Sequence, residues 1–500
     1  MSGLMCSDKR SIGESPLDRK PPGLLAIFEE NPKRLKRITF LAGLFRAHGF
    51  ELRIAGGAVR DILTSKEPHD IDFATDATPE QSLEIVSRHE DILRIIVTAA
   101  GKRHGTVGVK FKEMEIDFKR IKLSPTSVPN QGDRTDRPNA KPEYDEESPY
   151  EITTLRRDVF SDGRHAKVEF IKDWRADAER RDLTINSMFL TLNEGKLVDY
   201  FGGESDLRNN IVKFVGDPDS RMREDYLRIL RFFRFWSRYG RRNQPDEETI
   251  SKMRKNMDGL NGISGERLWQ ELKKILSYYP CSEVVELMLR LRAFDYLGMK
   301  NDKLEDYDSY CHEILEEVKV VQDNVENFLN RYAGRESPDH KKIIDILPVV
   351  IFSCLIRSED ICLNAHRRMK FSNMERDTLL YISQNRHQNP DNIRGYKYQL
   401  ATLSKPEQLP SALMRIRAFL IFKNKLDIIE ELQVWEVPTF PLSGHEVGVE
   451  VIKRKLPRTY IKTSIDHVKD IWASSGFKTT KEELEEKLNA KLDEISASQN

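Results

Sequence analysis

The sequence has no long apolar run, few cysteines and no net charge. No apolar stretch approaches the roughly 20 residues that a membrane-spanning helix needs, so we expect no membrane association. The five cysteines are scattered, odd in number and without the close spacing of zinc ligands. Reduced thiols in a reducing compartment are therefore favoured over disulfides or zinc. The 81 basic and 81 acidic side chains balance, so a polyanionic partner would need a local basic surface.

The spacing of apolar residues predicts a mixed α/β head followed by helices. A helical pattern over Ile38–Leu44 precedes a series of strand-like runs, and after about Gly216 long helical patterns such as EDYLRILRFFRFWSRYG continue to the end. The 500 residues and a mean hydropathy of −0.58 indicate a helix-rich α+β protein with more than one domain. The strand-like runs are Arg53–Ala55, Ile92–Val97, Thr106–Phe111, Ile152–Leu155 and Val168–Ile171.

Two segments lack periodic apolar residues. The segment up to about Pro22 is polar with mixed charge, which predicts a flexible tail, and its acidic residues are unusual for a transit peptide. The stretch KLSPTSVPNQGDRTDRPNAKPEYDEESPY, at about 120–149, is rich in Pro, Asp, Asn and Ser. This composition predicts a surface insertion in the head.

A glycine pair and an aspartate pair mark the first candidate site, in RIAGGAVRDILTSKEPHDIDFAT. Gly56 and Gly57 lie between a predicted strand and a predicted helix, where backbone N–H groups and the helix N-terminus favour an anion. Asp70 and Asp72 are two apart on a predicted strand, so their carboxylates share one face. Paired carboxylates suit Mg²⁺, which completes its shell with water and substrate phosphates. Each pair alone is usually a turn or a solvated strand edge, but their combination predicts a triphosphate site beside a metal.

A second charged cluster, RRDLTINS, lies at the start of a predicted helix. Asp182 is favourable near a helix N-terminus. Arg180 and Arg181 are unfavourable there unless they meet an anion, and phosphate is the natural candidate. Thr184 and Asn186 could donate hydrogen bonds to a sugar hydroxyl.

A third cluster, EDYLRILR, bears on specificity. On a continuous helix Asp225 and Arg228 are neighbours on one face, and Arg231 follows one turn later. Such charges are most often a solvated surface ion pair. However, an ionised Asp only accepts and an Arg only donates. The pair therefore matches the amine and ring nitrogen of cytosine and adenine, and it mismatches uracil and guanine.

These clusters resemble, in sequence and order, the class II tRNA nucleotidyltransferases, or CCA-adding enzymes, and most closely the eukaryotic type. The resemblance covers nearly the whole chain. It is carried by GGAVRD with DIDFAT, RHGT, EITTLR, RRDLTINS, DYFGGESDLRNNIVKFVG, EDYLRILR, GISGERLWQELKKIL and FPLSGHEV.

The resemblance implies template-independent addition of C, C and A to the 3′ end of tRNA from CTP and ATP, with tRNA as partner. Asp70 and Asp72 would hold two Mg²⁺ ions. Glu151, which heads EITTLR, would be the third catalytic carboxylate, with Glu115 or Asp117 as alternatives. The nucleotide would be bound by Gly56, Gly57, Arg60, His104, Gly105, Thr106, Arg181, Asp182, Asn186, Asp225, Arg228 and Arg231. His104, Gly105 and Thr106 would lie in a flexible loop used in passing from C to A, and Glu224 would support the site.

The resemblance also implies a domain order. Residues 1–25 would be a tail, 26–215 the nucleotidyltransferase head, 216–290 a nucleotide-recognition neck and 291–500 a tRNA-binding body and tail. The family's usual compartments are mitochondria, cytoplasm and nucleus. The sequence does not distinguish a monomer from a homodimer.

Two other functions share these motifs. Bacterial poly(A) polymerases carry nearly the same set, but an enzyme that follows an open-ended strand is expected to be markedly basic, and this chain is neutral. An inactive nucleotidyltransferase fold serving as an RNA-binding module is the other alternative. Loss of either aspartate would favour that alternative, and both are present.

Overall fold

The computed structural model describes residues 23–112, 148–161, 166–241, 243–300, 305–334, 338–403 and 406–498. It divides into two compact units, Met1–Glu271 and Leu272–Asn500. Most of the predicted tail and of the predicted insertion lies outside the described residues, as do Glu115 and Asp117.

A mixed sheet forms the centre of the first unit. The strands are β1 (Leu52–Ala55), β2 (Asp72–Thr75), β3 (Leu93–Ile96), β4 (Thr106–Phe111), β5 (Tyr150–Thr154), β6 (Arg156–Ser161), β7 (Ala166–Phe170), β8 (Phe189–Thr191) and β9 (Leu197–Val198). Seven of them are ordered β3-β4-β5-β2-β1-β8-β9, while β6 and β7 form a separate hairpin. Only the central pair β2 and β5 is parallel within the described sheet. All five predicted strand runs overlap a strand.

Strand alternation decides which residues face the site. Ile54, Phe73 and Ile152 are each no more than 1% exposed and belong to the main core of the sheet. Asp72 and Glu151 directly precede Phe73 and Ile152, so their side chains project from the opposite face. The central strands therefore present carboxylates to one side while their neighbours anchor the fold.

Every described element after Gly216 is helical, which confirms the predicted α+β class. A π-helix spans Trp236–Gly240, and short 3₁₀ helices span Gly23–Phe28, Thr184–Asn186, Met257–Gly262, Ala293–Leu297, Ser353–Leu355 and Pro406–Gln408. The α-helices are α1 (Pro32–Ala47), α2 (Gly57–Leu63), α3 (Pro79–Ser87), α4 (Ala99–His104), α5 (Trp174–Glu179), α6 (Gly203–Arg208), α7 (Pro218–Glu224), α8 (Leu227–Phe235), α9 (Glu247–Asn256), α10 (Gly265–Leu276), α11 (Ser282–Arg290), α12 (Tyr307–Arg331), α13 (Pro338–Phe352), α14 (Glu359–Met369), α15 (Asn373–Asn385), α16 (Ile393–Ala401), α17 (Leu409–Phe422), α18 (Leu426–Val434), α19 (Gly444–Lys453), α20 (Tyr460–Ser474) and α21 (Lys481–Ser498).

Local sequence sets several helix starts near the site. Asp173 caps α5 by accepting hydrogen bonds from the backbone N–H groups of Arg175 and Ala176. Asp217 caps α7, with Pro218 at the first helical position, where proline's fixed φ suits a helix. These caps fix where the short helices that carry site residues begin.

The second unit is built from amphipathic helices. The cluster around Val447, Trp472 and Leu488 unites α19, α20 and α21, and all three side chains are no more than 2% exposed. Of the five cysteines, the four in described segments are free thiols: Cys281, Cys311, Cys354 and Cys362. No helix in the described segments has both the length and the apolar character needed to cross a membrane.

Candidate active site

An open cleft of about 510 Å³ lies in the first unit, within the size range of small-molecule sites. It brings together eleven of the fifteen predicted site residues. These are Gly56, Gly57, Arg60, Asp72, Glu151, Arg181, Asp182, Asn186, Asp225, Arg228 and Arg231. Asp70, His104, Gly105 and Thr106 are not among the residues that line it.

The cleft is locally basic in a protein of zero net charge. Seven arginines line it, against four carboxylates. The excess of guanidinium groups favours an anionic ligand. This cleft provides the local basic surface that a polyanionic partner of a protein with no net charge would need.

Asp72 and Glu151 are direct neighbours across the parallel pair of strands β2 and β5. Burial raises the pKa of Asp72 to about 6, with further contributions from the charges of Glu151 and Asp70, and the Arg181 cation partly offsets these effects. Asp72 lines the cleft and remains exposed to solvent there. Two acidic groups held side by side repel each other, and a bound cation would relieve that repulsion.

Asp70 does not share a strand with Asp72, contrary to the prediction. β2 begins at Asp72, and Asp70 lies in the preceding bend, with a side chain that is 62% exposed. Partial burial raises the pKa of Asp70, but hydrogen bonds from Ser148 and His69 lower it by more. The net pKa therefore lies below its usual value. The strand prediction failed because the loop after α2 runs one residue past Asp70 before backbone pairing begins.

The glycine pair forms the expected turn between β1 and α2. Gly56 has φ +67° and ψ −125°, and a Cβ there would lie 2.9 Å from Nη1 of Arg181. The backbone angle requires glycine, and a side chain there would also displace the Arg181 guanidinium. The Gly56 N–H donates to the carbonyl of Met188, which directly precedes the neighbouring strand β8 (3.0 Å). At Gly57 a Cβ would meet its nearest neighbour, Arg60 Nη2, at 3.4 Å.

A buried hydrogen-bond chain joins the first cluster to the second and third. Arg60 Nη1 donates to Asn186 Oδ1 (2.5 Å), and Asn186 Nδ2 donates to Asp182 Oδ1 (3.2 Å). Arg231 Nε completes the chain at Asp182 Oδ2 (2.6 Å). Burial raises the pKa of Asp182, but Arg231 and these hydrogen bonds lower it below the usual value. Three clusters far apart in sequence thus share one polar network.

RRDLTINS does not begin a helix, contrary to the prediction. Arg180 caps the C-terminus of α5, and Thr184–Asn186 form one 3₁₀ turn. Arginines are favourable at a helix C-terminus, so the helix-start argument for a bound anion fails. Arg180 Nε and Arg181 Nη2 instead pair with the 1%-exposed Asp177, at 2.8 and 3.0 Å.

EDYLRILR is not a continuous helix, which corrects a further prediction. α7 ends at Glu224, Asp225 is extended, and α8 begins at Leu227. Asp225 and Arg228 both line the cleft, and the Arg228 N–H donates to the Asp225 carbonyl (2.9 Å), but their side chains take other partners. Asp225 Oδ2 accepts from Arg267 Nη2 (2.6 Å), and Arg228 Nη1 donates to Glu224 Oε2 (2.7 Å).

His104, Gly105 and Thr106 form a helix end and a strand start, where the family resemblance implied a loop; the strand predicted from Thr106 is confirmed. His104 ends α4, Gly105 is left-handed (φ +70°), and Thr106 begins β4. The carbonyl of His104 accepts from Arg156 Nη1, and that of Gly105 accepts from the Thr154 N–H. Burial and then the Arg156 cation lower the pKa of His104.

Three residues were missed from the sequence. Arg267 and Arg156 line the cleft, and Asp177 holds Arg180 and Arg181. Arg267 lies in GISGERLW and Arg156 ends EITTLR, so both motifs contained the signal. Asp177 had none, because a single acidic residue in a short helix is indistinguishable from a surface charge.

The carboxylates fit a magnesium site that is completed by substrate. Among the described residues, no group of three or more His, Cys, Asp or Glu side chains could hold a metal by itself. Magnesium is usually bound by one or two carboxylates together with water and phosphate oxygens. Asp72 matches that donor chemistry, and the neighbouring Glu151 adds negative charge that favours a bound cation.

Comparison with known proteins first defines the class. A family model described as the poly(A) polymerase head domain matches residues 52–145 and 136–213, and one described as a probable RNA- and SrmB-binding site of polymerase A matches 244–299. The fold and cleft are those of a nucleotidyltransferase head with a helical extension. Enzymes of this class generally use divalent metals.

Full-length relatives narrow the class to one family. The chain is 35% identical to the mitochondrial CCA tRNA nucleotidyltransferase 1 of Danio rerio (89% of this chain, 88% of the relative). It is 36% identical to that of Mus musculus (93% and 91%). The crystal structure of the Bacillus stearothermophilus CCA-adding enzyme in complex with CTP has the same fold, with TM-score 0.62, 20% identity, and coverage of 92% and 97%. The chain belongs to the CCA tRNA nucleotidyltransferase family.

Proposed function

We propose that this protein adds C, C and A in turn to the 3′ end of tRNA from CTP and ATP, releasing pyrophosphate. The observation that carries the proposal is the single cleft in which arginines, paired carboxylates and the residues Asp225 and Arg228 converge. Family membership supports the tRNA substrate.

The glycine turn and the arginines bind the triphosphate. Gly56 and Gly57 bring backbone close to the phosphates, and Arg60 and Arg181 face the same space. Asp177 holds the Arg181 side chain, so less rotamer freedom is lost on binding. Asp182 and Asn186, which also line the cleft, would offer oxygen and amide groups to the sugar hydroxyls.

The carboxylates act at the reacting phosphorus. The 3′-hydroxyl oxygen of tRNA bonds to the α-phosphorus, the bond to the β-phosphate oxygen breaks, and pyrophosphate leaves with that electron pair. We propose that Glu151, the neighbour of Asp72 across the strand pair, accepts the hydroxyl proton. Asp70 and Asp72 would hold two Mg²⁺ ions, which lower the pKa of the attacking hydroxyl and neutralise the leaving charge.

Asp225 and Arg228 read the base. Cytosine and adenine each present an amine donor beside a ring-nitrogen acceptor, which suits an accepting carboxylate beside a donating guanidinium. Uracil and guanine present a carbonyl beside a ring N–H, and would leave the protein groups unpaired. We propose that Arg267 orients Asp225 and that Glu224 orients Arg228, given their ion pairs at 2.6 and 2.7 Å.

His104, Gly105 and Thr106 act from beside the cleft, next to one of its lining residues. Thr106 Oγ1 lies 3.0 Å from Oγ1 of Thr153, which lines the cleft. A shift of α4 during the change from C to A addition would therefore reach the floor of the cleft through Thr153 and Arg156.

Mitochondria are the proposed compartment, with cytoplasm and nucleus as additional sites. The two animal relatives carry the word mitochondrial in their names. Imaging of the tagged protein in its own cells tests this, and exclusion from mitochondria would refute it.

Nucleotide addition to defined primers tests the proposed reaction. A tRNA transcript lacking its CCA end is incubated with each labelled triphosphate alone and with CTP and ATP together. We expect two C residues from CTP alone and three added residues from the mixture. A long A tail from ATP alone would instead identify a poly(A) polymerase, and no addition would favour an RNA-binding module.

A further inference from the structure

Asp70 lacks the support that the sheet gives to Asp72. Asp72 is held by backbone pairing with β5 at Glu151, whereas Asp70 lies in a bend before the strand. A metal-binding side chain functions only if its position is held within about 0.5 Å. The segment before Asp70 must therefore be fixed by something other than the sheet.

Arg34 of α1 binds the two peptide groups that directly precede Asp70. Its Nη1 donates to the carbonyl of Pro68 (2.7 Å) and its Nη2 to that of His69 (2.5 Å). Nη1 also pairs with Glu67 (2.9 Å), and the Arg34 side chain is only 12% exposed. Because the guanidinium fork is planar and rigid, it holds the two adjacent carbonyls as one unit.

The helix that carries Arg34 is itself firmly placed. Asn31 caps α1 by accepting from the Arg34 N–H (3.1 Å), and its Nδ2 donates to Glu67 Oε1 (3.1 Å). Phe40 and Phe45, about two and three turns further along, are no more than 2% exposed and anchor α1 in the core of the sheet. The loop before Asp70 is thus tied at several points to a rigid element.

We propose that Arg34 is a positioning residue for the metal site, because it fixes the Pro68 and His69 carbonyls and so sets where the Asp70 carboxylate lies. This inference rests on the proposed function, in which Asp70 and Asp72 hold magnesium. Arg34 contacts the backbone that precedes the proposed metal ligand Asp70 and not Asp70 itself. We therefore expect it to affect metal affinity more than the chemical step.

Direct metal binding tests the proposal in Arg34→Gln. Mn²⁺ binding is measured by electron paramagnetic resonance on the full-length protein with a non-hydrolysable CTP analogue. Loss of a group that orients a metal ligand typically weakens metal binding about 10–100-fold. We expect about 10-fold here, since Asp70 is one of several ligands. Arg34→Lys, which retains a cation without the fork, should lie between this variant and wild type.

Two further measurements accompany the binding data. Nucleotide addition should need more Mg²⁺ for half-maximal rate in Arg34→Gln and should recover at saturating Mg²⁺. Amide hydrogen exchange at residues 66–70 should accelerate. Lys36→Gln, an exposed substitution on the same helix, is the matched control and should leave all three measurements at wild-type values.

Unchanged Mn²⁺ affinity in Arg34→Gln would overturn the proposal, as would a rate deficit that saturating Mg²⁺ does not restore. If Arg34→Gln fails to fold, Arg34→Lys carries the test, and wild-type Mn²⁺ affinity in that variant with accelerated exchange at 66–70 would also overturn it. If Arg34→Gln weakens Mn²⁺ binding but the wild-type protein adds no nucleotide to tRNA, the proposed function is refuted and the positioning role of Arg34 stands.

Discussion

Replacing Arg228 by alanine tests how the base is chosen. A guanidinium has five N–H donors, and in the structure Arg228 uses three: two on Nη1, to Glu224 and the Arg221 carbonyl, and one on Nη2, to the Arg180 carbonyl. Nε–H and one Nη2–H remain. Asp225 accepts from Arg267 and from the Leu227 N–H, so about two of its four acceptor sites remain.

That remaining capacity is what a base edge with one donor and one acceptor requires. A good two-point contact discriminates between bases by about 1–3 kcal/mol, which corresponds to roughly 5- to 150-fold in kcat/KM. Arg228→Ala should therefore lose about this factor of preference for CTP and ATP over UTP and GTP. Binding of pyrophosphate should change little, because the triphosphate is held by other residues.

The assay is single-nucleotide addition to tRNA lacking CCA, with all four triphosphates measured separately. Arg223→Ala is the control, because Arg223 also lies in this region but forms an ion pair with Asp219 and is 54% exposed. An Arg228→Ala enzyme with wild-type preference among the four triphosphates would refute the reasoning, even if its overall rate fell.

Three other substitutions test separate parts of the site. Asp72→Asn should abolish nucleotide addition. In EDTA at pH 7.5 it should nevertheless raise the Tm, because the pKa of Asp72 is raised to about 6, so ionising this group costs stability as pH rises from about 4 to 6. A variant whose Tm equals that of the wild type at both pH 4 and pH 7.5 would contradict this. Arg231→Met removes the 2.6 Å partner of buried Asp182. It should lower the free energy of unfolding in urea by about 2–3 kcal/mol, which is less than for a fully buried pair because Arg231 is one-third exposed. Since the pKa of Asp182 lies below its usual value, the wild type's stability advantage should disappear as pH falls through that lowered pKa, and an advantage that persists there would argue against the pair. Gly56→Ala should lower the free energy of unfolding by about 1–3 kcal/mol, because alanine is strained at these backbone angles, and should raise the KM for CTP. Gly57→Ala is the control, since Gly57 has no positive φ. Equal effects of the two substitutions would contradict the turn geometry.

The elements with strong periodicity were predictable. The strand runs at Thr106–Phe111 and Ile92–Val97 and the helical remainder follow from side-chain alternation and helical spacing, which act over a few residues. The glycine turn was predictable for the same reason, since a strand, two glycines and a helix define it locally.

Features set by tertiary contacts were not predictable. At the break, Asp225 accepts not only from the nearby Leu227 N–H but also from Arg267, 42 residues away. The 3₁₀ turn at Thr184–Asn186 depends on Arg60 and Asp206, which bind Asn186 and Thr184 from distant segments. A helix pattern in the sequence carries no information about such partners.

The candidate site shows the same division. Motif residues were identified correctly as a set that meets in one cleft, because eleven of fifteen line it. Their pairings were not, since each charged group takes the nearest opposite charge in space. Asp177 illustrates this, because its role depends on two arginines and a strand backbone that meet it only after folding.

The most direct test of the proposed function is the length of the product made on tRNA that ends immediately before its CCA. With CTP and ATP together, wild-type protein should add three nucleotides, C, C and A, and stop, and Asp72→Asn should add none. Continued addition of A by the wild type, or wild-type addition by Asp72→Asn, would contradict it.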